Sequence, residues 1–216
     1  MEMFRQSGIE AALGVLFPAG TAVAAMQIVE GQNEVLPAEE CALKGAVPAR
    51  RAEFGAGRAA ARRALGALGH AAAPILPDQD RAPVWPEGVA GSIAHAAGVA
   101  VAVVREGLPI GVDVEEDAAI EPELWPIICA PDELNALPEE DRGRYVRRVF
   151  SAKEAAYKAQ FPITRSVIGF PSLSIRLTED GFTARFSHQV GPLLEGHVLH
   201  GKRAFANGRV LSGVAI

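Results

Sequence analysis

The sequence predicts an α+β protein built from two similar lobes, and three observations lead to this fold class. The chain of 216 residues is 49% hydrophobic and 22% charged, which is the composition of a globular protein with a sizeable core. The periodicity of its apolar residues changes along the chain in the order strand, helices, strands, then helices and strands again. A short junction near residues 106–109 separates the two series. We therefore expect an N-terminal lobe over residues 1–106 and a C-terminal lobe over residues 107–216.

The first feature in chain order is a charge-free stretch, residues 11–29, which is nearly long enough to span a membrane. Pro18 and Gly20 interrupt it, so we expect a short N-terminal segment, a turn and then a strand over residues 21–30. The leader in front of it lacks the positive region of a signal peptide, since its charged residues are Glu2, Arg5 and Glu10. These features favour a cytoplasmic protein with no stable membrane insertion.

Net charge and cysteine content argue against two further classes. A formal charge of −5 disfavours general binding of nucleic acid through a basic surface. Cys41 and Cys129 lie far apart in no recognisable spacing. We expect reduced, semi-buried thiols of a cytosolic protein rather than a disulfide or a metal site.

Helical sequence follows the first strand. Residues 36–40 open a short helix, and a longer helix is predicted from Pro48 to about Gly69. Its apolar stripe contains Phe54, Ala61, Leu65 and Leu68, and an adjacent stripe contains Arg51, Arg58 and Arg62. The helix is therefore expected to carry a basic edge beside its buried face. Four prolines and little periodicity predict a loop over residues 71–91.

The second half of the chain returns to strand patterns and then repeats the alternation. The predicted elements are two strands over residues 91–106 joined near 96–98, a third strand over 108–115, helical sequence over 121–137, a long helix over about 138–160, and antiparallel strands over 172–216.

Two carboxylates interrupt the apolar strand PIGVDVE at residues 109–115. Side chains alternate faces along a strand, so Asp113 and Glu115 project together while Val112 and Val114 face the core. Two acids this close suit a hard divalent cation such as Mg²⁺. They equally suit an exposed strand end with two solvated acids, and this stretch alone does not choose between the two interpretations.

A second group of candidates lies in FSAKEAAYK, residues 150–158. Glu154 and Lys158 are spaced i,i+4 on the predicted helix, which by itself indicates a surface ion pair worth about 0.3–0.5 kcal/mol. If Glu154 instead faces the strand acids, three carboxylates meet and Lys158 lies one turn away. That arrangement suits a pyrophosphate with bound Mg²⁺, with the lysine on a phosphate oxygen.

The third group lies in PVWPEGVAGSIAH, residues 83–95. Trp85 and Pro86 predict a rigid, partly aromatic wall that could accept a purine, and His95 or the basic helix edge could receive a phosphate. A lone histidine at a strand end is more often structural, and that alternative stays open.

These stretches, together with RAEFGAGR at residues 51–58, resemble the 4′-phosphopantetheinyl transferases in order and spacing. The resemblance is to the two-lobed, monomeric type that includes enterobactin synthetase component D, and it covers residues 50–158. It implies two α+β lobes related by pseudo-two-fold symmetry. It also implies transfer of the phosphopantetheine arm of coenzyme A to a serine of an acyl or peptidyl carrier protein, with release of adenosine 3′,5′-bisphosphate.

The resemblance assigns roles to individual residues. Asp113, Glu115 and Glu154 would hold Mg²⁺, Lys158 would neutralise phosphate charge, and His95 would contact the 3′-phosphate of coenzyme A; Arg51 and Arg58 are candidates for the nucleotide end. Glu154 or Glu115 would take the proton of the serine hydroxyl. Phosphoryl transfer needs positioning and charge neutralisation more than a covalent catalyst, so this set is chemically sufficient.

One position departs from the family. Ala94 stands where a serine usually precedes the motif histidine, so a hydrogen bond to the 3′-phosphate is missing unless Ser92 or a backbone N–H replaces it. We expect weaker binding of coenzyme A. Two rival functions remain: a non-catalytic relative that binds coenzyme A or a carrier protein, and a Mg²⁺-dependent phosphohydrolase.

Four other signals are interpreted as structural. The Gly55-x-Gly57-x-x-Ala60 pattern lies inside helical sequence with no strand before it, so a dinucleotide site is not expected. His197 and His200 lack further metal ligands nearby and indicate exposed imidazoles on a strand. The other two are Trp125 with Cys129, expected in the core, and Arg147 with Arg148, expected to be solvated unless they meet an acidic carrier protein.

Overall fold

The structure is a computed structural model that describes the backbone of residues 2–216 and the side chains from Gly8 onward. The side chains of Glu2 and Arg5, used above to argue against a signal peptide, lie outside the described residues. The helices are α1 (Glu2–Gly14), α2 (Pro48–Ala67), α3 (Trp125–Ile128), α4 (Pro131–Ala136) and α5 (Arg142–Thr164), with 3₁₀ turns at Pro37–Leu43, Pro122–Leu124 and Phe170–Ser172. The strands are β1 (Ala22–Gln27), β2 (Val89–Ala96), β3 (Val99–Glu106), β4 (Ile110–Glu116), β5 (Leu173–Leu177), β6 (Gly181–Phe186), β7 (Val198–Ala206) and β8 (Arg209–Ala215).

The predicted α+β class is confirmed. One antiparallel sheet has the order β1-β3-β2 and the other has the order β4-β8-β7-β6-β5. All strands of the first sheet precede residue 107 and all strands of the second follow it, while the division into two lobes at this point stays a prediction. Each sheet packs against one long helix, α2 or α5, although the sheets differ in size, with three and five strands.

Two predicted helical regions differ in detail. The long helix begins at Arg142 rather than near Pro138, because Asp141 before it adopts a left-handed conformation (φ 55°) that an α-helix cannot continue. Residues 121–137 form short helical pieces, because Pro122, Pro126 and Pro131 each lack the N–H that a longer helix would need.

The charge-free N-terminal stretch is divided as expected, since α1 ends at Gly14 and β1 begins at Ala22. Within the described residues, no helix is both long and apolar enough to cross a membrane. The prediction of semi-buried thiols is wrong for both cysteines: Cys41 is exposed, on a surface 3₁₀ turn, and Cys129 is buried in the core beside α5, and both are free.

Strand β4 joins the two halves of the core. Val112 and Val114 are fully buried, as the alternation along the strand predicts, in a cluster that also contains residues of β3 and α1. The backbone N–H of Val112 donates to Ser92 Oγ on β2 (3.1 Å), so β4 lies beside the first sheet although it belongs to the second. On its other side, β4 touches α5.

Gly111 allows that contact. A Cβ atom at this position would lie 2.0 Å from the carbonyl oxygen of Ala155 and 2.6 Å from the backbone nitrogen of Ala159. The strand therefore packs directly on the backbone of α5, with no side chain between them. The acids of β4 and the polar face of α5 are brought together by this close approach.

Candidate active site

Three carboxylates and a lysine lie on the two elements that pack together where β4 contacts α5. Asp113 and Glu115 project from one face of β4, and Glu154 and Lys158 lie one turn apart on α5. Asp113 is buried, at 4% exposure, whereas the other three side chains are partly exposed. Lys158 contacts Asp113, and the charge of Asp113 raises the pKa of both Glu115 and Glu154, but within the described residues the three carboxylates are not gathered closely enough to hold a metal ion as they stand.

Lys158 forms its ion pair with Asp113 and not with Glu154. Its Nζ donates to Asp113 Oδ1 at 2.7 Å, with the lysine side chain about a quarter exposed. The i,i+4 surface pair considered from the sequence is therefore not the contact this lysine makes, because the neighbouring strand offers a buried carboxylate. The second oxygen of the same carboxylate, Oδ2, is buried without a hydrogen-bond partner.

The acids carry negative charge that the protein itself compensates poorly. Burial raises the pKa of Asp113 even though Lys158 opposes the rise. Burial, followed by the charge of Asp113, raises the pKa of Glu115 to about 7. Burial also raises the pKa of Glu154, with Asp113 adding to the effect and Lys158 opposing it. A cation bound between them would stabilise the ionised form of all three groups.

The prediction that Arg147 and Arg148 are solvated is wrong. Arg147 Nη1 donates to Glu115 Oε2 at 3.0 Å. Arg148 makes a two-pronged contact with Asp117 (3.0 and 3.1 Å) and lies over the rings of Tyr145 and Phe205. The first turns of α5 face the end of β4, so these arginines meet strand acids instead of water.

His95 lies on β2 at the edge of the same region, and Arg50 contacts it. Arg50 Nη1 is 3.1 Å from His95 Nε2, and Arg50 also pairs with Glu53 at 3.3 Å. Burial lowers the pKa of His95, with Arg50 and Lys158 lowering it further against the opposing charge of Glu53. Arg50 and Lys158 thus lie near an imidazole whose charged form is disfavoured, and a phosphate bound there would favour the protonated form of His95.

Arg50 is a residue that the sequence reasoning missed. The motif used above starts at Arg51, and a single helical residue rotates the side chain by about 100°. The i,i+3 spacing of Arg50 and Glu53 in the sequence could have pointed to Arg50, because it indicates that the two residues share a helix face.

All three arginines of the predicted basic edge form contacts with other residues of this chain. Arg51 pairs with Glu40 on the surface, and Arg62 pairs with the fully buried Glu39 at 2.8 Å. Arg58 is buried, and burial lowers its pKa to about 10. Its Nε donates to the carbonyl of Ile75 (2.7 Å), and its guanidinium lies over Phe54. The edge therefore holds residues 36–43 and 75 against α2.

A cavity of about 590 Å³ lies between the segment 78–85, strand β2 and the end of α5. Trp85 forms part of its wall with its indole against Gly91, where a Cβ atom would come within 2.6 Å of the ring. Tyr157, Lys158 and Phe161 line the opposite side. The predicted aromatic wall thus borders a space large enough for part of a nucleotide, whereas Pro86 is not among the residues that line it.

Ser92 and Ala94 have different environments. Ser92 also lines the cavity, and its hydroxyl oxygen accepts the N–H of Val112 while its proton is free to be donated. Ala94 is buried in the apolar cluster with Val101 and Val112. A hydroxyl at position 94 would enter this cluster, so the alanine is compatible with the packing seen here.

Lys153 has a structural role that the sequence did not indicate. It is 2% exposed, and its Nζ donates to Glu133 Oε2 (2.8 Å) and to the carbonyl of Phe170 (3.0 Å). Glu133 also accepts the N–H groups of Ala130 and Ile175. This buried ion pair holds α4, α5 and β5 together. A smaller cavity of about 170 Å³ lies beside it and is lined by Lys153 and Glu154.

Comparison with known proteins identifies the family. Residues 38–105 match the model of the 4′-phosphopantetheinyl transferase N-terminal domain, and residues 109–207 match the 4′-phosphopantetheinyl transferase superfamily model. The chain is 33% identical over 194 residues to 4′-phosphopantetheinyl transferase Svp of Streptomyces mobaraensis, covering 84% of this chain and 78% of Svp. It is 36% identical over 173 residues to 4′-phosphopantetheinyl transferase PptT of Mycobacterium tuberculosis, covering 77% and 75% of the two chains.

A further relative is enterobactin synthase component D of Salmonella typhi, which is 39% identical over 137 residues, covering 62% of this chain and 57% of that protein. The resemblance seen in the sequence motifs is confirmed by these matches, which extend beyond residues 50–158 in both directions. The chain belongs to the 4′-phosphopantetheinyl transferase superfamily.

Proposed function

We propose that this protein transfers the 4′-phosphopantetheine arm of coenzyme A to a serine hydroxyl of an apo carrier protein. Family membership supports this reaction. The observation that carries it is the contact of Lys158 with Asp113 where β4 packs on α5, with Glu115 and Glu154 on the same two elements and the Arg50–His95 contact on β2 beside them. The serine oxygen forms a bond to the phosphorus that carries pantetheine, the pyrophosphate bridge breaks, and adenosine 3′,5′-bisphosphate leaves.

The acidic residues fit a hard divalent cation. Asp113 Oδ2 is buried without a partner, and the pKa values of all three acids are raised, so their charges need compensation. In the part of the chain that the structure describes, no group of three His, Cys, Asp or Glu side chains is already gathered closely enough to hold a metal. We propose that Asp113, Glu115 and Glu154 hold Mg²⁺, which when bound neutralises charge on the pyrophosphate.

The remaining negative charge of the phosphates is proposed to be neutralised by cationic side chains of this protein. We propose that Lys158, which is held by its ion pair with Asp113, binds a phosphate oxygen of the pyrophosphate. His95 and Arg50 are proposed to bind the 3′-phosphate, since they already lie within 3.1 Å of each other. Arg58 and Arg51 stay predictions for the nucleotide end, with a smaller contribution expected from Arg51 because it already pairs with Glu40. Trp85 and Ser92, which line the cavity, are proposed together with the neighbouring Pro86 to form the wall against the base and ribose.

We propose that a carboxylate, either Glu154 or Glu115, takes the proton of the serine hydroxyl. Glu115 is held by Arg147, whereas no ion pair within 4.0 Å is formed by Glu154 among the described residues. A general base in the free carboxylate form can accept the proton as the serine oxygen attacks.

We also propose a cellular location, an oligomeric state and a pathway for this protein. The two-lobed type that the sequence motifs resemble is monomeric, which supports a monomer. The reduced state of Cys41 and Cys129 and the use of coenzyme A support a cytoplasmic location. Relatives named enterobactin synthase component D support a carrier protein of siderophore biosynthesis, with polyketide synthesis as the other candidate.

The test is the mass gain of apo carrier proteins incubated with the protein, coenzyme A and Mg²⁺. We expect modification of at least one carrier in a small panel, and loss of modification in Glu154→Ala while the variant stays folded. Full activity of Glu154→Ala would refute the metal assignment. Binding of coenzyme A without modification of any carrier would instead favour a non-catalytic relative, and release of phosphate from small esters without a carrier would favour a phosphohydrolase.

A further inference from the structure

A short hairpin forms one wall of the 590 Å³ cavity. Its arms meet at an isolated bridge between Pro77 and Pro83, and the N–H of Val84 donates to the carbonyl of Leu76 at 2.8 Å. Its base is anchored at Ile75, whose N–H donates to buried Glu39 and whose carbonyl accepts from Arg58. The hairpin is therefore held rigidly at its base.

The tip of the hairpin is organised by Asp78. Its Oδ1 accepts the backbone N–H groups of Asp80 and Ala82, both at 2.9 Å. Its Oδ2 accepts a hydrogen bond from Arg165 at 2.7 Å, and Arg165 directly follows the last residue of α5. One carboxylate thus shapes the tip and ties it to the far side of the cavity.

Arg81 occupies the position at this tip that glycine would take most easily. Its φ is +66°, a left-handed conformation in which an L-residue with a side chain is disfavoured. Two other non-glycine residues with positive φ, Ala97 and Asn207, lie in tight turns between paired strands, each followed by a glycine. Backbone geometry therefore explains a left-handed residue at 81 but not the presence of an arginine.

The side chain of Arg81 is the cation of the cavity that the protein leaves free. Three cations line it: Lys158 pairs with Asp113, Arg165 pairs with Asp78, and the side chain of Arg81 makes no hydrogen bond or ion pair with the rest of the described chain. The backbone N–H of Arg81 donates to the carbonyl of Asp78 at 3.0 Å. Arg81 is exposed, so its guanidinium can reach a ligand without first breaking an internal contact.

We infer that Arg81 is a further substrate-binding residue, whose guanidinium contacts a phosphate oxygen of coenzyme A at the mouth of the cavity. The inference rests on the proposed function, because it takes the polyanionic coenzyme A as the ligand. A guanidinium on a rigid tip loses little freedom on binding, and it binds phosphate through a planar set of donors. The backbone cost of an arginine at this φ is then offset by affinity for substrate.

The experiment compares three variants with the wild type. Arg81→Gly removes the side chain and suits the left-handed backbone, Arg81→Lys keeps the charge, and Arg176→Ala is the control. Arg176 is an exposed arginine on β5, outside this cavity, so its removal changes the net charge equally. The readouts are the thermal unfolding midpoint, the dissociation constant for coenzyme A, and its KM and kcat at low and high ionic strength.

We expect Arg81→Gly to unfold at the same or a higher temperature than the wild type, with its KM and dissociation constant for coenzyme A raised about fivefold at low ionic strength. The increase should shrink at high salt, because an exposed charge is screened. Arg81→Lys should stay within about twofold of the wild type, and Arg176→Ala should be unchanged. A KM of Arg81→Gly within twofold of the wild type, or an equal loss in Arg81→Lys, would overturn the inference.

A parallel series with 3′-dephospho-coenzyme A identifies the phosphate. Disappearance of the Arg81→Gly effect assigns the contact to the 3′-phosphate, and its persistence assigns it to the pyrophosphate. The binding measurement also separates this inference from the proposed function. If the wild type binds coenzyme A and modifies no carrier, the proposed reaction fails, while the dissociation constants still decide the role of Arg81.

Discussion

Lys158 Nζ lies 2.7 Å from Asp113 Oδ1, and this contact joins the helix to the strand that together form the candidate active site. The pair uses one oxygen of Asp113 and leaves the other buried and unpaired. The lysine is thus held at the acidic group before any substrate arrives, and the acid keeps a free oxygen for a cation. The first prediction follows from that oxygen.

Mg²⁺ should stabilise the wild type through the three acids. A ligand that binds only the folded state raises the unfolding temperature by an amount that grows with the logarithm of its concentration divided by its dissociation constant. We expect millimolar Mg²⁺ with coenzyme A to raise the unfolding midpoint of the wild type and of Glu116→Gln, an exposed acid on the same strand. The rise should be lost in Asp113→Asn and Glu154→Gln. An undiminished rise in Asp113→Asn would remove this residue from the proposed metal site.

Arg50 and Arg51 form a matched pair of adjacent arginines. Arg50 contacts His95, whereas Arg51 pairs with Glu40 on the surface. We expect Arg50→Ala to raise the KM for coenzyme A about tenfold or more, as expected for a lost hydrogen bond to a charged group. Arg51→Ala should change it less than twofold. Steady-state kinetics with the apo carrier decide the point, and the opposite ranking would restore Arg51 to the nucleotide end.

Gly111 should tolerate no side chain. An alanine Cβ would overlap the carbonyl of Ala155, so backbone must move. We expect Gly111→Ala to lower the free energy of unfolding by about 1–3 kcal/mol or more and to reduce transfer activity, because β4 and α5 separate. The comparison is Gly66→Ala near the end of α2, where a Cβ meets nothing and a gain of up to about 1 kcal/mol is expected. Urea unfolding of both variants measures the difference, and equal stabilities would contradict the close packing.

The buried ion pair of Lys153 and Glu133 should be sensitive to removal of either partner. Lys153→Met leaves a buried carboxylate without its cation, and we expect a loss of about 3–5 kcal/mol in the free energy of unfolding. The double variant Lys153→Met with Glu133→Gln should recover part of that loss. Denaturant unfolding of the two single variants and the double variant gives the coupling energy. Strictly additive losses would show that the pair is not coupled.

The two cysteines should differ in reactivity. Cys41 is exposed, whereas burial raises the pKa of Cys129 to about 12 and keeps its thiol from reagents. We expect one adduct per chain after brief treatment with N-ethylmaleimide at neutral pH and two in denaturant, as measured by intact mass. Cys41→Ser should then show none under native conditions. Two adducts on the native wild type would contradict the packing around Cys129.

Local patterns were sufficient for the elements of this protein. Alternation along PIGVDVE correctly predicted that Val112 and Val114 are buried while the acids share a face, since a strand has a strict period of two. The charge-free stretch 11–29 was correctly divided by Pro18 and Gly20. The family could be identified from the order of four motifs. Helix boundaries were less accurate, because Asp141 and three prolines act through backbone conformation that composition describes poorly.

Partnerships between distant residues could not be predicted in this way. Arg51, Arg147 and Arg148 were assigned from helix faces alone, yet their partners Glu40, Glu115 and Asp117 come from other elements. The partner of Lys158 could not be chosen for the same reason, since the i,i+4 spacing to Glu154 is visible in the sequence and the distance to Asp113 is not.

By itself, then, the sequence determined which residue types are available for phosphoryl transfer and on which local faces they lie, because helix and strand periods are properties of neighbouring residues. Only the tertiary structure decided how those faces combine. Gly111 lets β4 lie on the backbone of α5, and this single close approach places Asp113 beside Lys158 and leaves one carboxylate oxygen free. Long-range contact of this kind depends on how whole elements pack, which no local pattern contains.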